Sequence, residues 1–438
     1  MSAAADLPTA AGAPDPLLLP RLMQVGPDAG ADLRAHLGRH GRLSLDMARE
    51  RLLAEVARSG LTGRGGAGFP AARKLAAVAE RSGGRAVVVG NGAEGEPASG
   101  KDHVLLSSAP HLVLDGLAVA AYAVRARTAY LYVLDDRGAL AVLRAALAQR
   151  ARAGMDRVTV QLVTAPTAFL SGEESAVVSA LSGRPALPYS TPPRVFERGV
   201  GGRPTLVHNV ETLAQLGLLA RWGAEWFAAI GDPEQPGSRL YTVWDGPRAR
   251  VVEAASGSTA RELLAAIGGR PEQVQALLVG GYHGSWLPVA ALDAPLSDPA
   301  LRRYGASAGA GVLLALPHGV CGLREAARVS AYLSAESAQQ CGPCLNGLPL
   351  IADGMRRLAA PGRAEGVRRR VEHWAGLVEG RGACKHPDGS VRFVRSALQV
   401  FGPELDLHAR GRCSATSEHQ VLPVDVALAQ TGVKGARR

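Results

Sequence analysis

The chain has 438 residues but only five cysteines, too few to frame a secreted disulfide scaffold of this length. Its start carries no positively charged leader, and no uninterrupted apolar run reaches the ~18 residues that a membrane span needs. No lysine and arginine run is interleaved with aromatics, which argues against nucleic acid as a partner. The cytoplasm is the simplest address. Met1 to Pro20 is rich in alanine and proline and is expected to form a loose arm.

What is present describes a globular protein: 47% hydrophobic and 20% charged residues, with 53 glycines that mark many tight turns. The length favours two or three domains over a single core. A net charge of +10 suits an acidic protein partner, a membrane surface or nucleic acid. A composition-wide excess of arginine explains it equally well.

From Arg85 to Leu181 strands alternate with helices. Ala86 to Val89, Ala129 to Leu134 and Val158 to Val163 read as strands, while Pro110 opens a helix to about Val124. Further helices are expected from Gly138 to Arg150 and from Glu173 onward. This alternation argues for an α/β layer around a mostly parallel sheet. Asp232 to Gly237 reads as a linker. Beyond it, Arg239 to Val252, Ala276 to Val279 and Gly311 to Ala315 are strand-like, and Ser258-Thr259 caps a helix over Ala260 to Ile267. This part looks like a small β-grasp module. After Gly322 helical spacing dominates.

Five motifs carry candidate chemistry. Gly60 to Gly68, followed by a helix, can bring backbone N–H groups against an anion, with Arg64 and Lys74 supplying charge. A flexible glycine loop is the plain alternative. Gly90-Asn91-Gly92-Ala93-Glu94-Gly95-Glu96 follows a strand, at the edge where α/β sheets bind ligands; Lys101-Asp102 are close enough in sequence to pair with it. Glu173 and Glu174 stand at a helix start, where the helix dipole alone would favour acids. His208, Asn209 and Thr212 are polar residues set into an apolar helical run, placed to cap it or to reach a ligand. Cys341-Gly342-Pro343-Cys344, with Cys384 further along, suits zinc, an iron–sulfur cluster or a redox disulfide. Cys321 and Cys413 read as ordinary thiols.

In this order the motifs resemble the family of NADH-oxidising, FMN-binding subunits of respiratory complex I and its soluble relatives, from about Leu52 to Phe401. The resemblance implies an α/β fold in parts: a Rossmann-like FMN and NADH domain over 21–236, a β-grasp (SLBB-type) domain over 237–320, and a helical iron–sulfur domain with a C-terminal tail over 321–438. It places Gly63, Arg64, Gly65, Gly66 and Lys74 at the FMN phosphate and ribityl chain. Asn91, Glu94 and Glu96 fall at the ring and nicotinamide. Glu173 and Glu174 match the paired acids, Asn209 and Thr212 the phosphate-side helix, and Phe69 an aromatic of the nucleotide channel. Glu96 and Glu174 are the candidate catalytic acids. Phe169 and His208 stand where the family has Tyr and Asn.

The resemblance also departs. Leu75, Ala77 and Arg194 replace aromatics expected near the adenine, which leaves NADH or NADPH as donor, with Arg194 or Arg198 available to an extra phosphate. Ala338 replaces the first cluster cysteine, leaving Cys341, Cys344 and Cys384 for a [4Fe–4S] or [3Fe–4S] cluster, with His386 or Cys413 as the candidate fourth ligand. The implied function is electron transfer from NAD(P)H through FMN and the cluster to a ferredoxin-like acceptor or partner subunit. The alternative is a flavin and iron–sulfur relay that no longer oxidises a nucleotide.

Overall fold

Val87–Gly92 (β1), Thr128–Leu134 (β2), Thr159–Ala165 (β3) and Thr205–Asn209 (β4) form one parallel sheet in the order β3-β2-β1-β4. The computed structural model describes residues 21–23, 30–134, 138–362 and 366–424; the expected arm Met1 to Pro20 lies outside them, as does the end of the C-terminal tail. Val87, Val88 and Val89 are fully buried, as a central parallel strand covered on both faces requires. The covering helices are Leu33–His40 (α1), Arg49–Arg58 (α2), Ala71–Ser82 (α3), Lys101–Ser108 (α4), Pro110–Ala123 (α5), Ala139–Arg152 (α6), Glu174–Leu181 (α7) and Val210–Ala228 (α8).

Helices α5 and α8 cross with their backbones in contact. A Cβ on Gly116 would lie 1.7 Å from the Leu213 carbonyl oxygen, and one on Gly217 would lie 3.1 Å from the Gly116 nitrogen. Only glycine permits that approach. Next to it, the buried Asp115 carboxylate binds Arg150 at 2.9 Å, Arg221 at 2.5 Å and His36 at 2.7 Å, so α5 is tied to α6, α8 and α1. Burial alone would raise this carboxyl, but His36 and the two guanidinium groups outweigh it and hold the group well below the usual range.

The expected linker at Asp232 to Gly237 is instead a tight hairpin of Gly231–Asp232 (β5) and Gln235–Pro236 (β6). Ser238–Asp245 (β7), Arg248–Ala255 (β8), Val274–Val279 (β9), Ser285–Pro288 (β10) and Val312–Pro317 (β11) then form a second sheet, ordered β10-β9-β11-β7-β8. Only the β11–β7 pair is parallel. Ala260–Ala266 (α9) starts on a capping box of Thr259 and Glu262, and Asp298–Leu301 (α10) is a single turn. Helices Gly322–Ala335 (α11), Leu348–Leu358 (α12), Val367–Val378 (α13), His386–Val400 (α14) and Gly402–Ala409 (α15) complete the described chain.

Among the described residues no single helix is long and apolar enough to cross a membrane. The bent pair α4–α5 has the apolar composition, but it turns through 97° and α5 is packed into the core. One sequence expectation is corrected here. The apolar run through Val207 and His208 predicts helix, yet these two residues belong to β4, and α8 begins only at Val210. The run is continuous because strand and helix are both buried, so periodicity does not separate them. Replacing Gly116 with Ala should cost about 2–4 kcal/mol by forcing α5 and α8 apart, read as a lower urea midpoint. An unchanged midpoint would show that the helix contact is slack.

Candidate functional site

The crossovers that follow β1 lead to β2 and β3 on one side, while β4 pairs on the other. The carboxyl ends of β1 and β4 therefore border the crevice where open α/β sheets bind ligands. Register places Asn91 of β1 beside Asn209 of β4. Asn209 caps α8, its side-chain oxygen accepting from the Glu211 N–H at 3.0 Å. Its amide nitrogen donates to Asp102 at 2.6 Å and to the Asn91 carbonyl at 3.4 Å. Asn91 in turn donates to the Gly172 carbonyl at 2.8 Å. Two glycines allow these loops to meet: a Cβ on Gly172 would lie 2.0 Å from the Ala93 oxygen, and one on Gly95 would lie 2.4 Å from the Phe169 oxygen.

The glycine loop lies against the start of α8. The Arg64 N–H donates to the Thr212 hydroxyl at 2.9 Å, and the Gly63 N–H to the Phe69 carbonyl at 2.8 Å. Among the described residues, the N–H groups of Gly65, Gly66, Ala67 and Gly68 have no hydrogen-bond acceptor in the protein. A run of free backbone donors before a helix suits a phosphate, and the loop is tight enough that a Cβ on Gly65 would press on Asn209. The side chain of Arg64 faces the other way. It is fully buried, donating to Thr62 at 3.3 Å and to the Ser238 carbonyl at 3.2 Å. Burial, helped by Arg239, lowers its guanidinium to about 10, against the pull of Glu211. Its expected phosphate contact is corrected to a brace on the second sheet, and Thr212 likewise holds the loop by its hydroxyl.

Lys74 remains at the site. It donates to the Val207 carbonyl at 2.8 Å and pairs with Glu174 at 2.6 Å. His208, buried beside it, has an unpartnered Nε2, and burial followed by the Lys74 charge pulls the ring down to about 3, so the imidazole is neutral. Glu173 caps α7, accepting from the N–H groups of Ser175 and Ala176 at 2.9 and 3.0 Å. Phe69 is exposed near the loop. The resemblance puts Phe169 against the flavin. Its N–H donates to Glu336 at 3.0 Å, however, and its ring packs edge-on against His283, Tyr332 and His386, which turns it toward the helical region. Leu75 is buried in the core, so its replacement of an aromatic does not alter the crevice.

Beneath the crevice is a charge cluster that the sequence only hints at. The buried Lys101 ammonium contacts Asp102 at 2.6 Å, Glu211 at 3.1 Å and Asn209 at 3.2 Å. Burial opposes its charge, but Asp102, Glu211 and Glu94 together raise it above the ordinary lysine value. Glu94 accepts from the Asp102 N–H at 3.3 Å. Burial and then Asp102 push its carboxyl up to about 8. Glu96 accepts from the N–H groups of Tyr282 at 2.7 Å and Ala98 at 3.2 Å, and burial raises it to about 7. The Gly280-Gly281-Tyr282 turn that holds Glu96 is absent from the sequence-level candidates; its signal is a glycine pair directly after a strand.

The structure brings the three expected cluster cysteines to one region. Cys341 and Cys344 flank the start of the π turn Pro343–Gly347, a feature common at functional sites, and Cys384 precedes α14. Burial and then the neighbouring Cys341 and Cys384 push Cys344 up to about 12. Cys384 is also raised, by burial first, with Glu173 among its neighbours. The three sulfurs do not all lie within 4.8 Å of one another. One zinc ion would draw its sulfurs to ~3.8 Å, given Zn–S of ~2.3 Å. The set is one thiolate short of the four that hold a [4Fe–4S] cluster. Neither expected fourth ligand is free: His386 has its ring nitrogens on His283 at 3.0 Å and the Leu333 carbonyl at 2.8 Å, and Cys413 lies with Cys321.

A phosphate cradle at a Rossmann-like switch point, joined by one loop to a thiol-bearing helical region, defines a flavin- and iron–sulfur-binding oxidoreductase. Residues 56–217 match the Nuo51 FMN-binding domain family, and residues 324–408 match the NADH-ubiquinone oxidoreductase-F iron–sulfur binding region. The chain belongs to the family of the NADH-quinone oxidoreductase F subunits. It is 30% identical to the second such F subunit of Rhizobium meliloti (strain 1021) over 371 residues, covering 82% of this chain and 88% of that one. It is 30% identical to the corresponding NADH-quinone oxidoreductase chain of Streptomyces coelicolor over 399 residues, covering 86% and 88%. Among solved structures, NAD+-reducing [NiFe]-hydrogenase in the H2-reduced state matches with a TM-score of 0.75 at 28% identity, covering 89% of this chain and 67% of that one.

The buried charges have two measurable consequences. Lys101→Met strands Asp102 and Glu211 and should cost about 3–5 kcal/mol in urea unfolding; a loss below about 1 kcal/mol would mean that water reaches the cluster. Glu94 and Glu96 hold protons in the folded chain that an unfolded carboxyl near 4.5 has released. Their stabilisation is full at low pH and is lost as pH rises through about 7 to 8, and buried Glu253, also near 7, adds the same sign. Between about pH 5 and pH 8 the urea midpoint of the cofactor-free chain should fall relative to that of the Glu94→Gln, Glu96→Gln double variant, which keeps the buried neutral histidines such as His208, whose contribution has the opposite sign. A difference that stays constant or rises over that range contradicts the assignment.

Proposed function

We propose that this chain accepts a hydride from NADH at the β1/β4 edge and passes the electrons singly through its helical region to a protein acceptor. The observation that carries the reading is the Gly65–Gly68 donor run lying beside Asn91, Asn209 and Lys74 at one switch point. When bound, FMN supplies a two-electron acceptor that can give up electrons one at a time, and the cluster supplies a one-electron carrier.

The residues divide the work by position. The free N–H groups and Lys74 hold the phosphate, while Asn91 keeps one amide N–H for polar ring atoms. Asn209, its amide engaged by Asp102, Asn91, Glu211 and Lys101, fixes the edge of the crevice. Neutral His208 offers its free Nε2 without adding charge. Glu94, resting on the Lys101 cluster, can hold or release a proton near neutral pH. Glu96 and Glu174 face the nicotinamide side. Phe169 docks the Glu173 loop onto the helical region, where Cys341, Cys344 and Cys384 hold the cluster. The positive net charge favours encounter with an acidic, ferredoxin-like acceptor or a partner subunit of a larger complex.

A second reading, a relay that no longer oxidises nucleotide, draws on the same geometry. Glu96 is engaged by the Tyr282 turn and Glu174 by Lys74. Exposed Arg194 and Arg198 favour a third detail, NADPH in place of NADH. Stopped-flow mixing of anaerobically purified protein with each nucleotide separates these. Flavin bleaching by NADH supports the main reading, faster bleaching by NADPH moves the donor, and no bleaching by either leaves the relay. Lys74→Met should weaken FMN binding by about 10- to 100-fold in a fluorescence titration, the scale of one charged hydrogen bond. Unchanged affinity would remove Lys74 from the phosphate site.

A further inference from the structure

Far from the flavin crevice, four potential ligands converge where the last helix meets the C-terminal segment. Cys321 is the N-cap residue of α11, and Glu404 and His408 are one turn apart on α15. Cys413 comes just after that helix. Their ligand atoms all lie within 4.8 Å of one another, the only such group among the described residues. The His408 Nε2 is 3.7 Å from the Cys321 sulfur, 87 residues away in the chain, and 3.0 Å from Glu404 Oε1. The Cys413 sulfur lies beside both Cys321 and Glu404.

We propose that Cys321, Cys413, His408 and Glu404 form a tetrahedral zinc site that fastens the C-terminal segment to the helical region. Two thiolates, one imidazole and one carboxylate are a borderline-soft set that suits Zn2+ better than a hard cation. Bonds of ~2.3 Å to sulfur and ~2.0 Å to nitrogen or oxygen set tetrahedral edges of ~3.3–3.8 Å, so small rotations close the observed spacing onto one ion. The outer contacts are those a metal site needs. His408 Nδ1 is 2.8 Å from the Leu358 carbonyl, which can only accept, so the ring proton sits there and the Nε2 lone pair is left for an ion. Glu404 is steadied by the Ser414 N–H at 2.9 Å.

The site's neighbours give it a purpose. The segment after Cys413 lies along α11: Thr416 and Ser417 N–H groups donate to the Gly319 carbonyl at 3.0 Å, and Arg328 reaches the Leu422 and Val424 carbonyls at 3.3 and 2.8 Å. Through Leu358 the site also touches the end of α12. An ion here joins α11, α12, α15 and this segment at a single point.

The test is metal content of the full-length protein, purified anaerobically without chelators. Elemental analysis should find about one zinc per chain that persists in a Cys341→Ser, Cys344→Ser, Cys384→Ser variant. It should drop at least tenfold in Cys413→Ser and in Glu404→Gln with Cys413→Ser, while flavin content stays unchanged. Cobalt exchanged into the triple variant should give the intense visible bands of tetrahedral thiolate ligation. Should Cys413→Ser fail to fold, that cobalt spectrum decides alone. The proposal is overturned by zinc that vanishes with the triple variant, by featureless cobalt, or by a mass two hydrogens low that marks a Cys321–Cys413 disulfide.

Discussion

A single buried ammonium governs the architecture around the crevice. Lys101 sits at the start of α4 with about one hundredth of its surface exposed, and its charge is tolerable there only because Asp102, Glu211 and the Asn209 amide oxygen surround it. Each partner belongs to an element that also shapes the site. Asp102 holds the Asn209 amide and, through its N–H, the Glu94 carboxylate; Glu211 opens α8 and accepts from the Leu240 N–H of β7 at 2.9 Å. The β1 loop, the α8 cap and the first long strand of the second sheet are thereby fixed relative to one charge. Such a cluster adds little net stability compared with apolar packing, so its value lies in fixing positions.

That arrangement explains why the second sheet takes part in a site built on the first. Arg64 reaches across to the Ser238 carbonyl, Glu96 rests on the Tyr282 N–H, and the Trp244 indole donates to the Ala98 carbonyl at 2.7 Å. Glycine loops are soft by themselves. Here the glycine-rich loop is stiffened from behind by an arginine that never faces the ligand side, leaving the Gly65–Gly68 N–H groups as its open donors. A planar cofactor that must keep one face for a nucleotide needs walls that do not adjust to it. Bracing by a separate sheet supplies them without placing more side chains in the crevice.

Much of this is legible in the sequence because the informative residues are local. The Val87 to Val89 run, the Thr259 cap and the Asn91 to Glu96 loop announce themselves within a few positions, and the order of the motifs carries the family resemblance. What stays hidden depends on long-range partners. Arg64 looks like a phosphate ligand because basic residues in glycine loops often are; only Ser238 and Thr62 show its true direction. His208 looks helical since a buried strand running straight into a buried helix has no change of period. Phe169 sits near Glu173 in sequence, yet its ring contacts come from His283, Tyr332 and His386. No local pattern encodes those.

The cysteines show how the fold divides one element between two tasks. In sequence, Cys413 is closer to Cys384 than Cys384 is to Cys344, so adjacency alone would group it with the cluster set. The structure separates them along α11. Cys321 stands at that helix's N-terminal end, whereas Ser337, just past its other end, is a close neighbour of Cys344. Fourteen residues at 1.5 Å each put ~21 Å between the two ends. Cys384 has Glu173 of the flavin-side loop as a neighbour, which puts the three-thiol group on the crevice side of the helical region. The Cys321–Cys413 group lies at the opposite end, against the C-terminal segment. Sulfur chemistry at that end is therefore free to serve structure, because the shortest way from crevice to thiols never passes through it.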